Sequence, residues 1–174
     1  RTNFATHPRN YERVRSLFGV TTEPRRRDRR IFISRAGVER RKVLNEAELS
    51  EALEKFGFDT ICAEDYTVRE QAEMFAQASH VIAPHGAGLG NIVFCGPDTR
   101  VLELFSAFLT EEYWSIANQM QLQYYAFECM GDAQTYLSEA DRDAIGGMFP
   151  RNAQDMVVPV DDVIDFVKST FLTA

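Results

Sequence analysis

From residue 31 onward, short apolar runs alternate with stretches in which apolar residues recur every three or four positions. The runs predict strands and the periodic stretches predict amphipathic helices. Strands are expected at 31–34, 58–62, 80–83, 100–105, 123–129 and 156–160, and helices at 45–56, 67–78, 91–95, 111–120 and 161–171. A further helix is predicted at 8–20, with Val14, Leu17 and Phe18 at helical spacing. Asn45 with Glu48, and Thr67 with Glu70, stand at capping-box spacing, and Gly57 is a stop signal. Residues 130–155 read as irregular. Strands alternating with helices predict an α/β fold, a Rossmann-like three-layer sandwich with a mostly parallel sheet and right-handed crossovers. The expected organisation is an N-terminal helix and basic linker over 1–30, then one Rossmann-like domain over 31–174.

Composition narrows this only a little. The chain has 174 residues, 45% hydrophobic and 26% charged, enough apolar side chain for a core and too much for a disordered chain. No apolar run is long enough to span a membrane. The start, Arg1-Thr2-Asn3-Phe4, has no Met and no apolar signal core, which points to a truncated or processed chain. Cys62, Cys95 and Cys129 are an odd, widely spaced set flanked by apolar residues. They are expected as buried thiols in a reducing compartment, so the localisation expected is cytoplasmic, or peripheral to an inner membrane.

Charge is more informative. The net charge of −7 divides into +9 over residues 1–42 and −16 over residues 43–174. A basic segment on an acidic body fits a local anion site, or else a solvated linker. The acidic remainder would repel a long polyanion, so nucleic acid is not an expected partner.

In a parallel sheet, ligands sit outside the carboxyl ends of the strands, and that rule sorts the candidate chemistry. Pro84-His85-Gly86-Ala87-Gly88-Leu89-Gly90 follows a strand and precedes a helix. Its glycines allow close approach to the main chain, and the N–H groups of Gly86, Ala87, Gly88 and Leu89 can cradle a diphosphate. A tight turn with no ligand is the alternative. His85 reads as a phosphate donor, a general base or a turn-stabilising residue, the first being favoured. Arg35 and Lys42, after the first strand, supply charge for a phosphate, unless that loop is merely surface. Glu103 is a carboxylate in an otherwise apolar strand, placed to accept from ribose hydroxyls or to pair with an arginine. No cluster of ligands at metal spacing and no DxD appears, so neither a metal nor another cofactor is expected.

These residues also carry a resemblance. Ile33-Ser34-Arg35, Arg41-Lys42, Asn45-Glu46-x-Glu48, Glu70-Gln71, Ala83-Pro84-His85-Gly86-Ala87-Gly88-Leu89-x-Asn91 and Val101-Leu102-Glu103-Leu104-Phe105 resemble the family 61 glycosyltransferases over residues 31–105. Gly90 stands where the family often has Thr. The resemblance implies the C-terminal, donor-binding half of a GT-B enzyme. It implies inverting, metal-independent transfer of a sugar from a nucleotide sugar to a glycan or polysaccharide acceptor. The N-terminal acceptor domain would then be missing from this chain. The cytoplasmic cues favour a bacterial member acting in capsule or surface polysaccharide synthesis. A non-catalytic nucleotide- or phosphate-binding regulatory module and a plain structural α/β domain are the other readings.

Overall fold

The computed structural model describes residues 8–20, 27–39, 41–106, 110–131 and 155–173. Five strands form one sheet: β1 (Arg29–Ile33), β2 (Phe58–Ile61), β3 (Ala78–Pro84), β4 (Arg100–Phe105) and β5 (Gln123–Glu128). Their order is β2-β1-β3-β4-β5, and every pairing is parallel. The helices are α1 (Pro8–Leu17), α2 (Glu46–Glu54), α3 (Val68–Ala76), α4 (Glu111–Gln119) and α5 (Val160–Phe166). A 3-10 helix, Ala87–Phe94, follows β3.

Side chains alternate along a strand, and the alternation divides the core in two. Ile31, Ile33, Val81, Ala83 and Val101 face α3, α4 and the 3-10 helix, and Tyr11, Val14 and Phe18 of the α1 segment pack onto the same cluster. Phe32, Ile82, Leu102 and Leu104 face α2 and α5. The sheet is thus covered on both faces, which is why its central strands read as almost unbroken apolar runs.

Placing α2 on one face and α3 on the other follows from right-handed crossovers running in opposite directions from the middle of the sheet. The chain leaves β1 toward β2, and leaves β3 toward β4. Adjacent β1 and β3 therefore flank the point where the winding reverses, and it is at such a point, outside the carboxyl ends of the strands, that sheets of this kind take their ligands.

Several local expectations change. β1 starts at Arg29 rather than residue 31, because Arg29 and Arg30 pair with Ala78 and His80 of β3. The arginine side chains are accommodated at the strand's end: Arg29 meets Asp59 at 3.2 Å, and Arg30 donates to the Phe56 carbonyl. The Thr67–Glu70 capping box forms as expected. The Asn45 one does not, since the Asn45 side chain exchanges two hydrogen bonds with the Val158 backbone, at 2.8 and 2.9 Å. The last strand is only Met156–Val157, paired antiparallel with Met130–Gly131 outside the main sheet. Pro159, which has no N–H to give a ladder, closes it off and precedes α5. Most of the stretch expected to be irregular, residues 132–154, lies outside the described residues. Cys95 and Cys129 are buried and Cys62 half-buried, all three as free thiols.

Candidate functional site at the sheet's switch point

The switch point is bounded by the ends of β1, β3 and β4. β1 runs out at Ile33, and Ser34 and Arg35 follow. Glu46, at the start of α2, folds this turn back, taking the Arg35 N–H at 2.8 Å on one oxygen and the Ser34 hydroxyl on the other. The Arg35 side chain then crosses toward the glycine turn. Its Nε donates to the Arg41 carbonyl at 2.9 Å. Arg41 is held at φ 57°, in the left-handed region that non-glycine residues rarely adopt, and so offers that carbonyl.

The glycine turn receives it. A Cβ on Gly86 would overlap the Arg35 Nη1 and stand 3.0 Å from Cζ, so only a glycine lets the guanidinium lie against the main chain. Gly86 has φ 167°, an extended backbone, so space rather than conformation demands glycine here. Gly88 is crowded less severely by β1, with Ile33 Cγ2 3.1 Å from a would-be Cβ, and Gly90 faces open space. Burial pulls the Arg35 pKa down, the neighbouring Arg41 charge adds to that, and Glu64, Tyr113 and Glu46 oppose it. A guanidinium remains charged at neutral pH despite this.

Beneath the turn lies a buried polar cluster. The His85 N–H donates to the Leu104 carbonyl at 2.8 Å, which ties the turn to the end of β4. Its ring Nδ1 meets one oxygen of Glu103, and the Tyr124 hydroxyl of β5 donates to the other. Tyr113 of α4 donates to the Gly86 carbonyl at 2.7 Å and packs edge-on against the His85 ring, with centroids 5.3 Å apart. Burial, then the nearby Glu103 charge, pushes the Tyr113 phenol up to about 12, so it stays a donor at any ordinary pH. Burial and the Glu103 hydrogen bond push Tyr124 up as well.

The structure thus brings together Arg35, His85, Gly86 and Glu103. It places the other candidates differently. Lys42 is exposed, and its backbone is stitched to Asp155 and Met156, with its N–H 2.8 Å from the Asp155 carboxylate. Ala87 is exposed and Gly88 half-buried at the start of the 3-10 helix. The Leu89 side chain is buried and its N–H is taken by the Gly86 carbonyl at 2.9 Å, which removes it from a phosphate cradle. Glu103 is 0% exposed with both oxygens engaged. In this structure no surface of Glu103 is offered to a ribose, and its partners are a histidine and a tyrosine rather than an arginine. The contributions of Glu46, Tyr113, Tyr124 and the Arg41 carbonyl were not anticipated. None of them stands out by residue type in its setting, although Arg41 and Glu46 fall within the resembling motifs.

A five-stranded parallel sheet covered by helices on both faces is a Rossmann-like domain, and at its switch point the half-buried Arg35 guanidinium lies against a glycine turn. The family follows from the sequence match. The model of the family described as Glycosyltransferase 61 matches residues 1–102, and the chain belongs to that family. The match reaches upstream of the resemblance at residue 31 and takes in the α1 segment. Among similar proteins are two from Oryza sativa subsp. japonica. The beta-1,2-xylosyltransferase XAX1 is 34% identical over 121 residues, covering 66% of this chain and 21% of its own length. The beta-1,2-xylosyltransferase RCN11 is 30% identical over 99 residues, covering 52% of this chain and 19% of its own. The chain therefore spans about a fifth of the length of these curated relatives. Both are plant proteins, which gives the bacterial capsule expectation no support.

Proposed function

We propose that this chain is the donor-binding part of an inverting, GT-B glycosyltransferase, and that the sugar transferred is a pentose, xylose, carried as a nucleoside diphosphate. Family membership and the printed activity of both rice relatives support the reaction class. The observation that carries the site is the Arg35 guanidinium lying against Gly86 at the β1/β3 switch point.

The chemistry is a single displacement. An acceptor oxygen attacks the anomeric carbon, the bond from that carbon to the phosphate oxygen breaks, and the hydroxyl proton passes to a base. Negative charge builds on the departing diphosphate, and a cation held in place beside it stabilises it. Arg35 is that cation. His85 belongs to the donor side as well. A general base must reach the acceptor hydroxyl, and a histidine 7% exposed beneath the glycine turn, with Nδ1 on Glu103, is poorly placed to do so. The base comes from outside this chain, and Glu103 acts by orienting His85. Lys42 contributes through long-range charge.

Thermal-shift and calorimetric titration with UDP, GDP and UDP-xylose, each with and without EDTA, test this. A nucleoside diphosphate should raise the melting temperature by mass action, and EDTA should not abolish the effect. No binding to any of them would refute the donor reading. Dependence on added Mn²⁺ would refute the metal-independent mechanism. Turnover of UDP-xylose by the longer protein, with acceptor present, separates a transferase from a regulatory nucleotide module.

A further inference from the structure

Glu70-Gln71 and Asn91 belong to the resembling motifs, yet the donor site leaves the two amides without a role. The structure joins Gln71 and Asn91. Gln71 lies in the first turn of α3 and Asn91 in the middle of the 3-10 helix that begins at the glycine turn. The Gln71 Nε2 donates to two carbonyls of the turn after β2, Ala63 at 2.7 Å and Tyr66 at 2.9 Å. Two acceptors on one atom fix the amide's orientation, so its Oε1 faces Asn91, whose Nδ2 donates to it at 2.7 Å. Every stated group of the pair is matched donor to acceptor.

The two segments tied together stand on either side of Arg35. The turn after β2 carries Glu64, whose charge acts on Arg35. It also carries Cys62, whose Sγ lies 3.9 Å from where a Gly37 Cβ would stand in the loop after β1. The 3-10 helix carries the glycine turn against which the guanidinium lies. α3 packs on that helix, so the amide pair spans the junction between them.

We infer that Gln71 and Asn91 are a positioning pair that sets the spacing between the turn after β2 and the glycine turn, the two segments beside which Arg35 meets an anionic donor. The functional half of this inference rests on the donor-site reading; the structural half does not. Neither residue touches the donor. They act through the two segments.

The test uses neutral, near-isosteric variants, Gln71→Met and Asn91→Leu, and their double. Calorimetry with UDP should show each single variant weakened by about fivefold to tenfold, the scale of a net hydrogen bond or two. The double should bind no worse than the weaker single, because one strut can be broken only once. A residue that merely supports the fold would instead show additive losses that track the melting temperature. The second readout needs no ligand. Cys62 sits in the tethered turn, while Cys95 and Cys129 are buried with thiols pushed up to about 12. Labelling by a neutral maleimide therefore reports on Cys62, and it should quicken in Gln71→Met.

Unchanged UDP affinity in both singles, or additive losses in the double, overturns the pair. If the wild-type chain binds no nucleotide, the donor reading falls on its own. The strut is then decided by labelling, where equal Cys62 rates in wild type and Gln71→Met overturn it. If Gln71→Met fails to fold, Asn91→Leu carries the same comparison, because it releases Gln71 from the 3-10 helix and leaves both carbonyl tethers in place.

Discussion

Substituting Gly86 with alanine separates binding from folding in this site. The backbone at Gly86 has φ 167° and ψ 172°, so alanine adopts it without strain. The added Cβ is the whole perturbation. It would overlap Arg35 Nη1 and stand 3.0 Å from Cζ. Ordinary carbon contacts begin at about 3.5–4.0 Å, so the guanidinium must retreat by about 0.5–1 Å or swing away. Its Nε is tethered to the Arg41 carbonyl at 2.9 Å, and the retreat strains or breaks that bond too. A charge-assisted hydrogen bond contributes about 1.5–3 kcal/mol, which is about 10–150-fold in affinity.

Stability has an opposing contribution. Replacing a glycine at a permissive conformation stabilises by about 0.4–1 kcal/mol through the unfolded chain. That gain is about the size of the loss from loosening the Arg35–Arg41 bond, so Gly86→Ala should melt close to the wild type and bind UDP at least about tenfold more weakly. The assay is calorimetric titration of UDP alongside thermal melting by circular dichroism. Gly90→Ala is the control, because no atom lies within 4 Å of its would-be Cβ, and its affinity should not change. Adding Arg35→Ala to Gly86→Ala should cost little more, since both remove one contact. Wild-type affinity in Gly86→Ala would refute the placement of Arg35 in the site. A fall in affinity matched by a fall in melting temperature would reduce Gly86 to a packing residue.

Two further outcomes are expected. Glu103→Gln should weaken UDP and a 2′,3′-dideoxy nucleoside diphosphate equally, because Glu103 offers no surface to a ribose, and should lower stability by about 1–3 kcal/mol through its buried partners; a loss confined to the ribonucleotide by calorimetry would restore the ribose contact. His80, whose pKa is lowered to about 4 by burial and then by Arg30 and Arg100, takes up its proton more readily when unfolded, so melting temperature should fall as pH drops from about 6.5 toward 4, and His80→Asn should flatten that limb.

Much of the architecture was legible because a doubly covered parallel sheet writes itself as apolar runs between helical periods. β4 has the expected bounds, and the other strands of the sheet differ by two residues or fewer at each end. What failed locally was decided by tertiary partners. Asn45 carries a helix-capping signature, but the Val158 backbone, far away in sequence, competes for its side chain. The Leu89 N–H belongs by sequence to a phosphate cradle, but a 3-10 turn uses it on Gly86. Site residues were legible where a residue type is costly in its setting. Glu103 stood out as a carboxylate in an apolar strand, and the glycines as a run. Tyr113 and Tyr124 did not stand out, because tyrosines in a strand or an amphipathic helix are ordinary. The register Glu103↔Ala126, which brings Tyr124 of β5 alongside on the same face, exists only once the strands pair.

The polar cluster below the turn bears on why a cation can be held so still above it. A glycine-rich segment loses more conformational freedom on folding than any other, and left to itself it would not present one fixed surface. Here each main-chain handle is claimed from a different element. The Gly86 carbonyl takes the Tyr113 hydroxyl of α4 and the Leu89 N–H, and the His85 N–H reaches the end of β4. The His85 ring is held by Glu103, and Glu103 by Tyr124 of β5. The turn is thereby fixed to three elements before any ligand arrives. Arg35 is fixed independently, through Glu46 at its N–H and Arg41 at its Nε. A site for a developing negative charge works by being organised in advance, so that little reorganisation is needed when the charge appears. In the proposed donor site the buried Glu103 would serve that end through what it holds in place, the His85 ring and the Tyr124 hydroxyl.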